Sequence, residues 1–311
     1  MSNVSRHHHY VPQFYLAGFN ESGEKNGSLC VTDLVEEKCF VTSPKKVGAK
    51  RDFNRVDVPG VKMDALEKAF SRFETEVAPV LAQVIEDREL PKNEDMSILL
   101  NFVALLGMRN PQIRSNFAEA EREVLRKMAH LMVGDKERWE AVLEQFREEN
   151  SEIDLPEVSY EKMKEIVQEE RYEIEFKHGH HSALELDALD AVLPYLFERK
   201  WSLLIAREGE GKFICSDRPV VLNSKGEGKS PYGVGLGTPN TELTMPLSKC
   251  LALLATFEGP PRKVRVDRFV IGAVNSRVIG SCNRQVYAES EDFEYLAEDG
   301  FSGQSELLNN L

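Results

Sequence analysis

The sequence predicts an α+β fold, mainly because the spacing of its apolar residues changes along the chain. Short runs rich in β-branched and aromatic residues occur near both ends, whereas the middle third repeats apolar residues every three or four positions. The first pattern is typical of strands and the second of amphipathic helices. With 311 residues, 41% of them hydrophobic, the chain is long and apolar enough to bury a core without disulfides or a structural metal.

Residues 1–60 are predicted to form a small strand-rich module. Pro12 suits the first turn of a short helix that buries the aromatic residues following it. The runs SLCVTDL and KCFVTS, which the charged turn VEEK separates, predict a hairpin. The run DFNRVDV, which begins at Asp52, predicts a third strand that ends before Pro59.

Residues 62–197 are predicted to form a large helical region. Apolar residues at helical spacing predict a long helix from about Lys62 and a second helix that ends before the Asn110-Pro111 pair. The second helix should end there because the residue before a proline disfavours the α conformation. Residues 140–175 contain 13 acidic and 4 basic side chains, so this region is strongly acidic.

Residues 198–311 are predicted to be β-rich. The runs WSLLIAR, KFICS, TELTMPLS, CLALLATF and QVYAE read as strands, and a helix is predicted from about Arg268 to Cys282. We expect this sheet and the N-terminal module to share one core, with the helical region inserted between them. Residues 1–311 would then be a single domain, because three short N-terminal strands bury too little surface to be stable alone.

Composition also bounds the cellular setting. The longest apolar runs are shorter than the roughly 20 residues that cross a bilayer, so no membrane segment is predicted. The N-terminal residues lack the apolar stretch and cleavage site of a signal peptide. The five cysteines are scattered and include no CxxC pair, which favours reduced thiols. We therefore expect a soluble cytoplasmic protein.

The charge distribution predicts where an anionic partner could bind. A net charge of −13 argues against non-specific binding to a nucleic-acid backbone, which depends on many lysines and arginines. Residues 259–288, however, contain six basic side chains and one acidic side chain. This segment predicts a local positive face through which an anionic small molecule or nucleic acid could bind. The sequence predicts no oligomeric state.

Six of the seven histidines fall into two groups, at positions 7–9 and at positions 178, 180 and 181. Histidine is the commonest metal ligand and the side chain best suited to proton transfer near neutral pH. The first group precedes residues that would anchor it against a core, which favours a functional role for it. The second group, HGHH, is predicted to be a solvated loop before a helix.

Three further polar residues are candidates for the site. Asp217 follows the predicted strand KFICS, where a carboxylate could serve metal-dependent hydrolysis or could close an Asx turn before a proline. Arg109 ends an apolar helix, where it could satisfy terminal carbonyls or bind a carboxylate or phosphate. Glu67 borders the apolar stripe of the first long helix, a position that is usually a solvated edge.

Taken together, these residues resemble a known family. The elements HHYVPQFYL (8–16), TSPK (42–45), RNP (109–111), SDRP (216–219) and MPLS (245–248), followed by Asn275, occur in order and resemble the domain-of-unknown-function family DUF4238. The resemblance implies one domain of nearly the full chain length with no settled activity. It adds weight to the polar positions inside the matching elements, which are His8, His9, Gln13, Arg109, Asp217 and Asn275.

Two functions remain open at this point. The first is a hydrolase, expected to be a metal-dependent phosphodiesterase or nuclease, with His8, His9, Asp217 and Arg109 as catalytic residues. In it, His9 and Asp217 would bind a divalent metal, and Gln13, Asn275 and Glu67 would bind the ligand. The second is a non-catalytic module for a nucleotide, metabolite or protein partner. Its polar residues, among them His8, Gln13, Asp217 and Asn275, would form a buried hydrogen-bond network.

Overall fold

Strands lie near both ends of the chain and helices between them in the computed structural model, which describes residues 6–150, 158–225 and 235–309. The predicted α+β fold is confirmed. No helix in these three ranges is long and apolar enough to cross a membrane.

The N-terminal part contains short strands and one short helix. They are β1 (His7–His9), α1 (Gln13–Leu16), β2 (Leu29–Asp33), β3 (Lys38–Thr42) and β4 (Ala49–Arg51). The predicted hairpin is confirmed, since β2 and β3 pair in antiparallel fashion. The predicted strand DFNRVDV is wrong, because Asp52 has a φ of 55° and turns the chain directly after β4.

The middle of the chain is helical, as predicted. Its helices are α2 (Ala65–Asp87), α3 (Asn93–Met108), α4 (Pro111–Val133), α5 (Lys136–Glu149), α6 (Tyr160–Gln168) and α7 (His180–Glu198). The predicted boundary at Asn110-Pro111 is confirmed. Asn110 caps α4 by accepting a hydrogen bond from the Ile113 N–H at 2.9 Å, and Pro111 occupies the first helical position.

The C-terminal part contains most of the strands. They are β5 (Lys200–Ala206), β6 (Cys215–Ser216), β7 (Val221–Ser224), β8 (Thr241–Ser248), β9 (Leu251–Thr256), β10 (Lys263–Val266), β11 (Gln285–Ala288), β12 (Glu294–Ala297) and β13 (Gly300–Gly303). Two helices accompany them, α8 (Arg268–Ser281) and α9 (Gln304–Asn309).

The two larger sheets differ in where their strands come from. One sheet has the order β10-β5-β9-β8-β7 and is built only from C-terminal strands. The other has the order β3-β2-β11-β6, so its two halves come from opposite ends of the sequence. All of its neighbouring strands are antiparallel. The N-terminal hairpin is therefore completed by strands that follow the helical region.

The largest hydrophobic cluster draws on all three parts of the chain. Tyr15 of α1 is fully buried, its ring lies 5.7 Å from that of Phe102 in α3, and its hydroxyl donates to the Pro246 carbonyl at 2.5 Å. Leu253 of β9 belongs to the same cluster. The single-domain organisation stays a prediction, and this shared core is the reason to keep it.

Candidate functional site

The N-terminal histidines are held by a backbone contact that needs a glycine. Strand β1 pairs with β4, and directly after it the N–H groups of Tyr10 and Val11 both donate to the Gly48 carbonyl, at 2.8 and 3.0 Å. Gly48 has a φ of 63°, and a Cβ there would lie 3.0 Å from the Val11 Cβ. The histidine strand is thus fixed before α1 begins.

His8 and Glu67 are brought together through a residue that the sequence did not indicate. His8 is buried, and its Nδ1 accepts a hydrogen bond from the Asn54 N–H at 2.9 Å. The Asn54 amide in turn donates to a carboxylate oxygen of Glu67. Nδ1 of His8 is therefore unprotonated, and Glu67 is linked to the N-terminal strand rather than being a solvated edge of α2.

His9 lies beside Gln13, with 3.3 Å between its Nδ1 and the Gln13 Nε2. Burial and, to a smaller extent, the charge of the neighbouring His7 lower the pKa of His9 to about 4, although the Lys45 backbone and the charge of Glu67 act in the opposite direction. His9 is consequently neutral at pH 7. Its Nε2 is buried and has no partner at hydrogen-bond geometry in the described structure.

Arg109 lies at the end of α3 and is 2% exposed. Its guanidinium donates to the His9 carbonyl and lies over the Phe70 ring, 3.9 Å from the centroid. Burial lowers the pKa of Arg109 to about 10, and nearby Glu74 and Glu67 oppose that shift. Burial in turn raises the pKa of Glu74, with the charge of Arg109 opposing it. The site thus has a buried cation facing two carboxyl groups.

Several buried polar atoms around His9 and Arg109 have no hydrogen-bond partner in the described structure. His9 Nε2, Asn54 Oδ1, and Nε and Nη1 of Arg109 are buried and have no hydrogen-bond partner within the described ranges. Such atoms are uncommon in folded proteins, because each unpaired buried group costs roughly 1–3 kcal/mol. We name His8, His9, Asn54, Glu67, Glu74 and Arg109 the histidine–arginine cluster.

Asp217 lies in a different environment from the histidine–arginine cluster. Its carboxylate accepts hydrogen bonds from the N–H groups of Asn283 and Gln285, at 3.0 and 3.2 Å, and contacts the Cys282 thiol. Burial raises the pKa of Asp217, and these backbone donors oppose the shift. The carboxylate therefore organises the turn between α8 and β11. Asp217 also acts on Tyr10 of the N-terminal motif, whose pKa is raised by burial and by the charge of Asp217.

Asn275 also makes its hydrogen bonds to the backbone. Its Oδ1 accepts from the Ile214 N–H at 3.1 Å, and its Nδ2 donates to the carbonyls of Lys212 and Glu294 at 3.0 and 2.7 Å. This arrangement uses both amide protons and joins α8 to the segment before β6 and to β12. The structure therefore brings together His8, His9, Gln13, Glu67 and Arg109, and places Asp217 and Asn275 at two other points.

The predicted positive face at residues 259–288 is largely neutralised. Four of its six basic side chains form ion pairs, in the combinations Lys263–Glu89, Arg268–Glu294, Arg277–Glu242 and Arg284–Asp33. The carboxylates come from other parts of the chain, so a count of charges within the segment could not reveal them. This face gives no support to binding of an anionic ligand or nucleic acid.

Positive charge instead collects in a cavity of about 330 Å³ between β4, α4 and the start of α7. We call this cavity the basic cleft. Its lining includes five cationic side chains and one carboxylate, which are Lys50, Arg51, Arg114, Arg122, Lys177 and Asp52. Phe53, Phe176, His178 and His181 also line it. Carboxylates pair with three of the five cations, in the combinations Arg51–Asp52, Arg114–Glu185 and Arg122–Glu119. Lys50 and Lys177 form no ion pair with a described residue, so the cleft keeps a net positive charge.

Arg114 makes more side-chain hydrogen bonds to described residues than the other cations of the basic cleft. Its Nε and Nη2 bind the two carboxylate oxygens of Glu185 at 2.7 and 2.5 Å, and its Nη1 donates to the Phe53 carbonyl. The guanidinium also lies 3.7 Å from the centroid of the Phe53 ring. Asn54, which follows Phe53, belongs to the histidine–arginine cluster, so the buried cluster and the cleft are adjacent.

Among the described residues, two groups of side chains have the spacing of metal ligands. Ligand atoms of Glu121, His180 and His181 all lie within 4.8 Å of one another, as do those of Cys30, Cys39 and Glu291. The first group adjoins the basic cleft through His181. The predicted metal ligands His9 and Asp217 are in neither group.

The comparisons with known proteins give a family but no activity. The sequence matches the family described as "Protein of unknown function (DUF4238)" over residues 7–292. The chain belongs to the DUF4238 family. No curated protein and no solved structure matches the chain. The family resemblance predicted from the ordered motifs is thus confirmed.

In this DUF4238 chain the family match includes both the histidine–arginine cluster and the basic cleft. Sequence reasoning identified much of the first because its residues lie in short motifs. It missed the second because the lining comes from segments near residues 50, 115 and 178, none of which is a motif for anion binding. The one available signal was the HGHH group, which was predicted to be a solvated loop.

Proposed function

We propose that the protein binds an anionic, phosphate-bearing small molecule in the basic cleft. The observation that carries this proposal is the convergence of five cationic side chains around one cavity in a chain whose net charge is −13. Asp52, Glu185 and Glu119 pair with three of these cations, whereas Lys50 and Lys177 form no ion pair with a described residue and would gain from a bound anion. Guanidinium and ammonium groups are the usual protein partners of phosphate.

The dimensions and chemistry of the cleft favour a small ligand. Its volume of about 330 Å³ is at the lower end of the range of small-molecule sites. Pro111, Ala118 and Phe176 add apolar surface that an organic group attached to the phosphate could contact. A nucleotide or phosphorylated metabolite suits this combination better than a nucleic-acid duplex, which requires an extended positive surface.

Arg114 supports the proposal because it is already positioned. Glu185 and the Phe53 carbonyl each hold part of its guanidinium, which leaves further N–H groups for a ligand. A group held before binding loses less side-chain entropy when the ligand arrives, so it contributes more to affinity. Arg122, which lies two turns further along α4, and Lys177, in the segment before α7, would add charge to the same cavity.

Of the two functions that the sequence leaves open, the ligand-binding module is the one the geometry favours. Hydrolysis by His8, His9, Arg109 and Asp217 stays a prediction, and the engagement of both Asp217 oxygens by backbone N–H groups gives it no support. Location in the cytoplasm is part of this proposal. The free thiols of all five cysteines suit a reducing compartment.

Calorimetric titration with ADP and inorganic pyrophosphate tests the proposal, with adenosine as the uncharged comparison. We expect both anions to bind and adenosine to bind far more weakly. Arg122→Gln and Lys177→Gln should each weaken binding by about tenfold, since loss of one charge-assisted hydrogen bond costs about 1.4 kcal/mol or more. Arg265→Gln, an exposed position on β10, is the matched control and should bind as the wild type does.

Two results would contradict the proposal. One is a wild-type protein that binds no phosphate-bearing compound of the panel. The other is equal affinity in the cleft variants and in the Arg265→Gln control, which would place the bound anion elsewhere. Binding of duplex DNA or RNA in preference to ADP would assign the cleft to a polymer instead.

A further inference from the structure

One side chain of α4 and two of α7 meet at the edge of the basic cleft. Glu121 lies in the middle of α4, and His180 and His181 are the first two residues of α7. His180 Nε2 lies 2.9 Å from both oxygens of the Glu121 carboxylate, and His181 Nε2 lies 3.2 Å from one of them. In both imidazoles it is therefore Nε2 that faces the Glu121 carboxylate.

The distances are close to those within a metal site. Ligand atoms bound tetrahedrally to Zn²⁺ at about 2.0–2.1 Å are separated by about 3.3 Å, so small side-chain shifts would suffice to admit the ion. His181 Nε2 is buried yet lacks hydrogen-bond geometry to any described partner, although Glu121 is near. A hydrogen bond to Glu121 accounts for the position of His180 Nε2, but the His181 Nε2 has no such hydrogen bond.

The surrounding residues fix the two rings. Phe176 stacks on His180 with 5.2 Å between ring centroids, and its ring meets that of His181 edge-on at 4.6 Å. Gly179 has a φ of 93°, and a Cβ there would lie 3.0 Å from the Val56 Cα. The start of α7 is therefore seated closely against the segment after β4, which restricts the positions of both histidines.

We infer that Glu121, His180 and His181 form a site for a divalent transition-metal ion at the edge of the basic cleft. Two imidazoles and one carboxylate favour Zn²⁺ or a similar ion over Mg²⁺ and Ca²⁺, which prefer oxygen ligands. Three protein ligands leave a coordination position for water or a ligand, as in catalytic rather than structural zinc sites.

The position of the site gives the ion a role. His181 lines the basic cleft and also belongs to the metal group, so a bound ion lies at the wall of the cavity. If the proposed function holds, the ion would contact an oxygen of the phosphate-bearing ligand. Metal binding itself does not depend on that function. The positive charge of Arg114 nearby is balanced by Glu185, so it is a weak obstacle to the ion.

Zinc titration of chelator-treated protein tests the inference. We expect one Zn²⁺ per chain by calorimetry and by elemental analysis of the dialysed protein. His180→Ala and Glu121→Gln should weaken binding by about a hundredfold or more, since even the loss of a residue that only supports a metal ligand costs 10–100-fold. His130→Ala, at an exposed position on α4 outside the group and the basic cleft, should bind as the wild type does.

The cysteine group at Cys30 and Cys39 is the competing site, and Cys39→Ser controls for it. Co²⁺ reports the ligands directly, because thiolate ligands add intense charge-transfer absorption that imidazole and carboxylate ligands do not. We expect a Co²⁺ spectrum without thiolate bands, unchanged in Cys39→Ser and lost in His180→Ala. His180 is exposed, so its variant should fold normally, which circular dichroism checks.

Absence of stoichiometric Zn²⁺ binding, or equal binding by His180→Ala, would overturn the inference. So would loss of the ion in Cys39→Ser alone. Binding of ADP measured with metal-free protein separates the two proposals. Zinc binding without ADP binding would support the metal site and contradict the proposed function of the cleft. ADP binding without zinc binding would support the proposed function and contradict the metal site.

Discussion

His9 shows at the scale of one residue how burial makes stability depend on pH. In the unfolded chain its pKa should be near 6.5, whereas in the folded protein burial lowers it to about 4. Between these values the unfolded state binds more protons than the folded state, so the free energy of unfolding falls as the pH is lowered. The contribution is complete above pH 6.5 and is lost on going down to about pH 4.

Between pH 6.5 and about pH 4 we expect the free energy of unfolding to fall by about 2 kcal/mol through His9. A full pKa shift of this size would give about 3 kcal/mol, and the partial exposure of the ring reduces it. Urea unfolding at pH 7, 5.5 and 4.5 measures it. His9→Gln should flatten the curve within this window, while His130→Gln, at an exposed position, should keep the wild-type dependence. Parallel curves for wild type and His9→Gln would show that His9 does not titrate as described.

The residues of the histidine–arginine cluster were only partly predictable. His8, His9 and Arg109 lie in short motifs, so their chemistry could be considered before their contacts were known. Asn54 and Glu74 are single polar residues in a turn and on a helix. Nothing local distinguishes them from solvated side chains, because only the packing of α2 against the turn after β4 and the end of α3 gives them their partners.

At the scale of secondary-structure elements, Asp217 is expected to stabilise rather than to catalyse. Its carboxylate binds the backbone N–H groups of Asn283 and Gln285, which connect α8 to β11. Asp217→Ala should lower the free energy of unfolding by about 1–3 kcal/mol, because those buried donors lose their acceptor. ADP affinity of the folded variant should be unchanged.

Chemical denaturation and ADP titration of the same preparation check this expectation. Asp217→Asn is the matched variant, since its amide oxygen can still accept one of the hydrogen bonds and should restore part of the stability. A variant of wild-type stability that loses ligand binding or activity would instead return Asp217 to the functional site, as one interpretation of the sequence proposed.

Element boundaries were predictable where a local signal exists. The hairpin β2–β3 follows from β-rich runs around a charged turn, and the end of α3 follows from Asn110-Pro111. The strand predicted from Asp52 was wrong because the left-handed conformation of that residue is not encoded by the apolar pattern. The pairing of β11 with β2 and β6 could not be predicted, because these strands lie some 70 to 250 residues apart and no local sequence pattern indicates which strands pair.

At the scale of the whole molecule, the distribution of charge could not be predicted from segments. Four of the six basic residues of 259–288 pair with carboxylates, which lie just after α2 and in β2, β8 and β12. The basic cleft draws its five cations from three separate stretches, and two of them, Lys50 and Lys177, pair with no described carboxylate. Counts within a segment miss these pairs, because the carboxylates come from other parts of the chain. Only the tertiary arrangement decides which charges remain available to a ligand.

The same arrangement leads to the prediction that the chain unfolds as one unit. Strands β2 and β3 are completed by β11, and Tyr15 packs against helix α3 and β8, so the first sixty residues contribute surfaces that only the rest of the chain can cover. Limited proteolysis should release no folded N-terminal piece of about sixty residues, and residues 1–60 expressed alone should be unfolded.

Equilibrium unfolding provides an independent measurement of this cooperativity. Trp139 lies in α5 and Trp201 in β5. The Trp139→Phe variant therefore reports on the sheet through Trp201, and the Trp201→Phe variant reports on the helical region through Trp139. If the domain is single, fluorescence of both variants and far-ultraviolet circular dichroism should give coincident transitions. Separate midpoints, or a protease-resistant fragment ending near residue 60 with dispersed amide resonances, would show instead that the parts fold independently. The single-domain prediction would then be abandoned, because a shared hydrophobic cluster would not be enough to couple the parts.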